Sequence, residues 1–180
     1  MNIFVLDRDP YIAAREMCDK HVVKMIVESA QMLSTCHRML DGTSERRDSI
    51  SGKRKVDYYK LNDSRESHMY KAVHFKHPCN IWLRESKSNY FWLYSHFLGL
   101  LSEYRWRYDK DHACEKLIHA LSVTPTNLAD KPLTTFAQAM PDECKDVDVV
   151  QAYRKYYTQY KSDFATWKNR ATPIWFKTAS

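Results

Sequence analysis

Residues 89–108, which read NYFWLYSHFLGLLSEYRWRY, are the most strongly apolar stretch of the chain. The stretch is much longer than a typical strand of about five or six residues, and its apolar side chains are too crowded for the alternation of a half-buried strand. A helix with apolar residues on most of its circumference is typically buried on all sides. We therefore predict that residues 89–108 form the central buried helix of the fold.

Further helix signals lie on both sides of this stretch. Asp9 followed by Pro10 favours a helix start, because the aspartate accepts from free backbone amides and proline has no amide to satisfy. Helical periodicity continues to Leu40, with Asp19 as a candidate restart, and Gly42 supplies the stop. Short helices are predicted at residues 67–73, from Pro78 onwards, and from Asp111 to about residue 121. A last long helix is predicted from Asp146 or Asp148 to about residue 167.

The remaining segments predict little regular β structure. Three glycines in 180 residues leave little material for tight hairpins or phosphate-binding loops. Residues 3–6 form a short apolar run that indicates one strand or an extended segment, and the charged residues 43–60 indicate a mobile surface loop, either DNA-contacting or merely solvated. The predicted fold class is mainly α, a compact single-domain helical bundle over residues 1–180.

Composition indicates the environment and the class of partner. The net charge of +6 and the pI of about 9.0 favour polyanions such as nucleic acid. We expect no membrane partner and a cytoplasmic location, because no apolar run approaches the roughly 20 residues of a membrane span and the start lacks the pattern of a secretion signal. Reduced thiols are expected at five scattered cysteines: Cys18, Cys36, Cys79, Cys114 and Cys144.

The predicted helix that ends at Leu40 carries a polar stripe opposite its apolar face. Methionines edge this stripe, which indicates a cleft wall. In such a cleft Glu28 would act as a general base or stabilise a developing positive charge, while His21 or Lys24 would handle protons or phosphate. The alternative is a solvated face with an i, i+4 ion pair between Lys24 and Glu28. The stripe consists of His21, Lys24, Glu28, Gln31 and Thr35, with Met25, Met32 and Met39 along its edge.

Two other predicted helices carry candidate binding groups. On the central helix His96, Glu103 and Arg107 share a face, with Asn89 nearby, and need partners or a substrate; an internal ion pair between Glu103 and Arg107 is the alternative. His37 lies on an apolar face, which predicts a hydrogen-bonded core histidine. The last long helix has aromatic residues that would stack on bases or pack in the core, interleaved with cations: Tyr153, Tyr156, Tyr157, Tyr160, Phe164 and Trp167.

Cysteine and histidine pairs are the candidate metal ligands. They occur as Cys18 with His21, His77 with Cys79, and His112 with Cys114. The sequence contains neither a C-x-x-C pair nor an H-E-x-x-H motif, so these pairs lack the usual spacing of a zinc site. We predict neither a metal nor another cofactor.

Six ordered motifs resemble a largely uncharacterised family of small proteins encoded by tailed bacteriophages, over nearly the whole chain. The motifs are MNIFVLDRDP at 1–10, CDKHVVKM at 18–25, HPC at 77–79, NY at 89–90, FAQAMP at 136–141 and AYR at 152–154. The resemblance points to these recurrent polar residues: Asp7, Asp9, Asp19, Lys20, His21, Lys24, Glu28, His77, Asn89, Gln138 and Arg154.

A second resemblance is to pyrimidine-dimer DNA glycosylases of the phage endonuclease V type, which are compact, basic, helical proteins with few glycines. It rests on KH at 20–21, HP at 77–78 and EYRWRY at 103–108. These glycosylases attack with the amine of a small N-terminal residue, whereas Met1 before the bulky Asn2 is expected to be retained. Shared chemistry would therefore require the amine of Met1 itself, or a lysine such as Lys24, to form a Schiff base.

The leading hypothesis is a DNA-base-processing enzyme, a DNA glycosylase with lyase activity as an option, that flips a base into a cleft. The alternatives are a non-catalytic nucleic-acid-binding or host-interaction protein and an enzyme acting on free nucleotides. The predicted catalytic residues are Glu28, His21 and Lys24. The predicted DNA-binding or substrate-binding residues are Lys20, His77, Asn89, Tyr90, Arg107, Gln138, Tyr153 and Arg154.

Overall fold

The helix predicted at the centre of the chain is confirmed, and it is the second longest α-helix of the described residues. A computed structural model describes residues 1–49 and 51–177. Within them the fold is mainly α, as predicted, with a single two-stranded sheet. The α-helices of the described residues are α1 (Pro10–Glu16), α2 (Asp19–Asp41), α3 (Arg65–His68), α4 (Pro78–Leu83), α5 (Lys87–Tyr108), α6 (Ile118–Leu121), α7 (Val149–Tyr160) and α8 (Ile174–Lys177).

Helices α1 and α2 both pack against α5. Apolar residues on several faces of α5 are fully buried, including Tyr90 and Phe97. A Cβ atom at Gly99 would lie 2.9 Å from the Cβ of Ala14 and 3.3 Å from the Cα of Tyr11. The first distance is shorter than side chains tolerate, so α1 approaches α5 this closely because residue 99 has no side chain.

The N-terminal apolar run packs in the core without pairing as a strand. Ile3, Val5 and Leu6 are at most 1% exposed. The side-chain Oδ1 of Asn2 accepts hydrogen bonds from the amides of Ile3 at 2.8 Å and Phe4 at 3.4 Å. These bonds satisfy amides that a neighbouring strand would otherwise satisfy. Of the two predicted options, the segment packed on the core is the one observed.

Residues 43–60 contain an antiparallel hairpin rather than the loop we expected. Strand β1 (Thr43–Asp48) pairs with β2 (Lys55–Lys60). Arg46 faces Asp57 across the hairpin with an N–O distance of 2.7 Å, and Lys55 pairs with Asp48 at 2.9 Å. The charges that indicated a solvated loop thus form cross-strand pairs, which stabilise an exposed two-stranded sheet.

Two shorter helices differ at one end from the prediction. The helix expected at 67–73 is the single turn α3, which ends where Met69 adopts an extended backbone. The helix expected from Asp111 is capped one residue later, because Nδ1 of His112 accepts from the amide of Cys114 at 3.1 Å. This cap begins a 3₁₀ turn at Ala113–Leu117 that continues into α6.

The last long helix begins as predicted and ends early. The carboxylate of Asp148 accepts from the amide of Val150 at 2.8 Å and so caps α7. The helix stops at Tyr160 instead of residue 167, because Lys161 leaves the helical backbone region at φ −126°. A 3₁₀ turn follows at Ser162–Phe164.

Two buried arginines join distant segments of the chain. Arg38 is 1% exposed and its guanidinium contacts the carboxylate of Glu66 at 2.6 Å. Arg107 is 1% exposed and pairs with Glu103 at 3.1 Å and Asp19 at 3.0 Å. Burying a guanidinium is costly unless its donors are matched, so each arginine restrains the segments that supply its acceptors.

The cysteines are free and buried, as their scattered spacing predicts. Burial raises the pKa of the Cys79 thiol to about 12, which keeps this thiol protonated at neutral pH. Among the described helices, none combines the length and the apolar character needed to cross a membrane.

Three histidines are buried as neutral rings. Burial lowers the pKa of His21 and of His37 to about 4, and that of His96 to about 3. His37 lies 2.8 Å from the hydroxyl of Tyr90, which confirms the predicted core histidine. His96 stacks on Trp92, and neither of its ring nitrogens has a hydrogen-bond partner among the described residues. Because these pKa values lie below 6.5, the unfolded state binds more protons and stability is lost as the pH falls below 6.5.

Replacing His96 with leucine should reduce this loss of stability at acidic pH. Between pH 6.5 and 5 the wild-type protein should lose about 2 kcal/mol of unfolding free energy through His96, a loss that the variant cannot show. The variant should be at least as stable as wild type at pH 7, because it removes an unsatisfied buried ring. Urea denaturation at pH 7, 6 and 5 measures the unfolding free energy of both proteins, and His119→Leu at the exposed surface is the matched control. If the unfolding free energies of wild type and His96→Leu fall in parallel with pH, the prediction is contradicted.

Candidate active site

A chain terminus beside a carboxylate is the central feature of the site. The α-amine of Met1 lies 3.3 Å from Oε2 of Glu28, and the backbone amide of Asn2 donates to the same oxygen at 3.1 Å. On the other carboxylate oxygen, Nζ of Lys24 lies 3.5 Å from Oε1. The side chain of Glu28 is 14% exposed and that of Lys24 is 67% exposed. Glu28 therefore holds the amine on its inner side and the lysine on its solvent side.

Two asparagines position the first residues. Nδ2 of Asn2 donates to the carbonyl of Ala139 at 2.7 Å. Asn80, which is fully buried in α4, donates through Nδ2 to Sδ of Met1 at 3.0 Å and to the carbonyl of Val73 at 3.1 Å. The Met1 side chain is only 3% exposed, whereas the whole residue is half-buried, so its exposed part is the backbone that carries the amine.

Strained backbone lies on two sides of the amine. Phe4 and His74 have positive φ values of 40° and 47°, a region that costs a residue with a side chain about 1–2 kcal/mol. The ring of Phe4 stacks on His21 at 4.4 Å and meets the ring of Tyr157 edge-on at 5.5 Å. This packing offsets the strain and keeps the chain between Asn2 and Phe4 turned toward α2.

A neutral imidazole lies close to the amine. Nδ1 of His77 accepts from the amide of Cys79 at 3.2 Å and so caps α4. Burial lowers the pKa of His77, and the positive charges of the Met1 amine and of His74 lower it further. The neutral ring has a single lone pair, which this cap engages at Nδ1, so Nε2 carries the proton and His77 is a hydrogen-bond donor at neutral pH.

The arrangement combines a nucleophile with a proton acceptor. A primary amine held next to a carboxylate is suited to covalent attack on an electrophilic carbon, and the neutral imidazole of His77 can donate a hydrogen bond. Throughout residues 1–49 and 51–177, no group of three or more His, Cys, Asp or Glu side chains is placed to hold a metal ion.

The structure brings two of the three predicted catalytic residues together. Glu28 contacts the Met1 amine through one carboxylate oxygen and Lys24 through the other. His21 precedes Glu28 by two turns of α2, and its Nδ1 lies 2.6 Å from the hydroxyl of Tyr157. The ring of His21 thus stacks on the ring of Phe4 and makes no hydrogen bond to Glu28.

Three of the predicted binding residues are built into α5. Nδ2 of Asn89 donates to the carbonyl of Trp82 at 2.7 Å, and the hydroxyl of Tyr90 donates to the carbonyl of Leu121 at 2.9 Å. Arg107 forms an internal ion pair with Glu103, which was the alternative prediction for this residue. All three side chains are buried and bound to protein groups, so the structure separates them from the Met1 amine.

Two further predicted binding residues lie at the surface. Nζ of Lys20 is 4.9 Å from the centroid of the Phe164 ring. Gln138 exchanges two hydrogen bonds with the backbone of Asp146, at 2.6 and 3.1 Å. Neither residue contacts Met1 or Glu28.

The two predicted residues of α7 contact the N-terminal region from its other side. The hydroxyl of Tyr153 donates to the carbonyl of Ala137 at 2.7 Å, and its ring contacts Phe4. Arg154 donates to the carbonyl of Leu6 at 2.9 Å and lies 3.3 Å from Glu16. These residues hold the N-terminal segment, whereas His77 is the predicted binding residue that lies beside the amine.

Sequence reasoning missed Asn2, His74 and Asn80. Asn80 had a detectable signal, because it is the single amide side chain in the otherwise apolar helical stretch PCNIWL at 78–83. Asn2 and His74 act through backbone turns that depend on distant partners. No local pattern marks them.

Comparison with known proteins places the chain in a family. A family model described as pyrimidine dimer DNA glycosylase matches residues 1–116, nearly two thirds of the chain, and this part contains Met1, Lys24, Glu28, His77 and Asn80. The match confirms the predicted resemblance to such glycosylases, and the resemblance to phage proteins stays a prediction. No curated protein and no solved structure gives a significant match. The chain belongs to the pyrimidine dimer DNA glycosylase family.

Proposed function

We propose that this protein removes a base at pyrimidine dimers in DNA, with the α-amine of Met1 as the nucleophile. The observation that carries the proposal is the contact of 3.3 Å between this amine and Glu28 inside the part of the chain that matches the family. The phage origin and the cytoplasmic location expected from the sequence belong to the same proposal.

Base removal follows from the groups around the amine. The amine first gives a proton to Glu28, which passes it to solvent, so that nitrogen has a lone pair and the carboxylate is charged again. The nitrogen then bonds to C1′ of the sugar while the bond between C1′ and the base breaks. The base keeps the electron pair, takes up a proton and stays joined to the other pyrimidine of the dimer. The carboxylate of Glu28 stabilises the positive charge that develops on the sugar.

A lyase step is part of the proposal. The nitrogen loses a proton, and its lone pair then expels O4′, which takes up a proton as the sugar ring opens; C1′ becomes an iminium carbon bonded to Met1, which is a Schiff base. Removal of a proton from C2′ then expels the 3′ phosphate, and water releases the amine. Glu28 is the proton acceptor that contacts the amine.

Access to the amine requires an extrahelical nucleotide. The amine lies beside α2 rather than at a protruding tip, so C1′ of a stacked nucleotide would remain outside its reach, and we propose that the nucleotide flips toward it. Lys24 is the exposed member of the site, and we assign it to a phosphate next to the flipped nucleotide.

Glu28→Gln should abolish turnover while leaving DNA binding intact. The amide keeps the shape of the side chain and loses the proton acceptor and the negative charge, so kcat should fall about 10²- to 10⁴-fold. Mass spectrometry of dimer-containing duplex after photoreversal, which separates the excised base from its partner, measures turnover, and fluorescence anisotropy with undamaged duplex measures binding. Glu115→Gln, at a surface carboxylate that pairs with Arg105, is the matched control; full turnover in Glu28→Gln would refute the role of Glu28.

Reduction with borohydride should trap the protein on its DNA substrate. The Schiff base would become a stable amine, and tryptic mapping should find the adduct on the peptide of residues 1–8. An adduct on Lys24, or an intact mass showing that Met1 has been removed, would overturn Met1 as the nucleophile. Base release without any adduct would overturn the lyase step and leave a simple glycosylase.

A further inference from the structure

The hairpin borders a basic cleft. The cleft has a volume of about 860 Å³ and lies between β2 and the chain at residues 71–73. Residues 43–60 contain six cations and three carboxylates, so this tenth of the chain carries +3 of the net charge of +6. The exposed cations that line the cleft are Arg47, Lys53, Arg54 and Lys71.

Three of these cations are left without a carboxylate. Every acid of the hairpin already has a hairpin cation at 2.7–2.9 Å, with Glu45 on Arg47, Asp48 on Lys55 and Asp57 on Arg46. Lys53, Arg54 and Lys71 form no ion pair with any residue that the structure describes. Unpaired cations along a cleft favour a polyanion, because binding releases its condensed counterions.

The aromatic rings of the cleft are already engaged by protein groups. The ring of Tyr58 lies 3.8 Å from the guanidinium of Arg47, and its hydroxyl donates to Glu66. The ring of Tyr59 meets Phe75 edge-on at 5.6 Å. The cleft therefore offers cations to phosphates rather than free rings to stacked bases, and such contacts are independent of base sequence.

The cleft is connected to the candidate active site through two contacts. Val73 at the cleft wall accepts from Asn80, whose amide also donates to Sδ of Met1. Arg38, which follows Glu28 by ten residues on α2, donates to the carbonyl of Tyr59 at 2.9 Å and so joins the base of the hairpin to the helix that carries Glu28.

We propose that this cleft binds the sugar-phosphate backbone of duplex DNA to one side of the nucleotide at Met1. Lys53, Arg54 and Lys71 would each neutralise a phosphate. The placement of the contact relative to that nucleotide rests on the proposed function, whereas the contact itself requires no catalysis. Binding through the cleft is expected to be strongly salt-dependent and indifferent to sequence.

The test compares two triple variants that remove the same charge. Lys53→Ala/Arg54→Ala/Lys71→Ala removes the cleft cations, and Lys110→Ala/Lys116→Ala/Lys131→Ala removes exposed lysines elsewhere. Anisotropy with an undamaged 20-base-pair duplex gives the slope of log K against log salt. The slope should fall by about 2.7 in the cleft variant, so that wild type loses about 40-fold more affinity than this variant between 50 and 200 mM salt. The control variant should keep the wild-type slope.

Modified DNA tests the placement of the contact with the wild-type protein, which does not depend on the folding of a variant. Neutral methylphosphonates, introduced one at a time, should weaken binding at a run of neighbouring phosphates on one side of a dimer, whereas those at the same distances on the other side should not. Equal effects on both sides, or equal slopes for the two triple variants, would overturn the inference whatever the enzyme activity. A reduced slope in the cleft variant alone, together with no base release by wild type, would support the cleft and reject the proposed function.

Discussion

The burial of the first residues against α2 is the constraint on which the candidate site depends. Residues 3–6 are part of the core, so the amine of Met1 is brought to the surface of α2 and its charge needs a partner. Glu28 supplies that partner at 3.3 Å and also accepts from the amide of Asn2. A carboxylate that is 14% exposed and bound to a terminal amine is well placed to exchange a proton with it. The contact that stabilises the folded N-terminus is therefore the one that the proposed chemistry uses.

Helix α2 also relates the chemistry to the hairpin. Glu28 lies near its middle and the buried Arg38 near its end, where the guanidinium fixes the base of the hairpin and the segment after it. A buried guanidinium contributes little net stability when all its acceptors are present, but losing its acceptors is costly, so such a group selects one arrangement. Helix α2 thus joins the carboxylate at the Met1 amine to the base of the hairpin that borders the cleft. Two sites joined through one helix can contact the same DNA duplex at two positions.

Local patterns predicted much of the fold, and long-range contacts account for what they missed. The starts of α1 and α4 follow from Pro10 and Pro78, and α5 follows from its apolar character, because these signals act within a few residues. Lys24 and Glu28 were found together because i, i+4 spacing places them on one helix face. The contact between Met1 and Asn80 joins residues 79 positions apart, and no periodicity encodes it. Likewise, the charges of residues 43–60 predicted solvation correctly, but their pairing depends on a strand register that the sequence does not display.

The side chain of Met1 explains how this chain accommodates a departure from the glycosylases that it resembles. Those enzymes present the amine on a small first residue, whereas here the first side chain is long, 3% exposed and bound through Sδ to Asn80. Packing of this side chain restrains the position of the amine. A small first residue with few contacts could not provide this restraint. The same amide of Asn80 holds the carbonyl of Val73 at the cleft wall. The side chain of Met1 therefore connects the proposed nucleophile, through one buried asparagine, to the surface proposed to bind the DNA backbone.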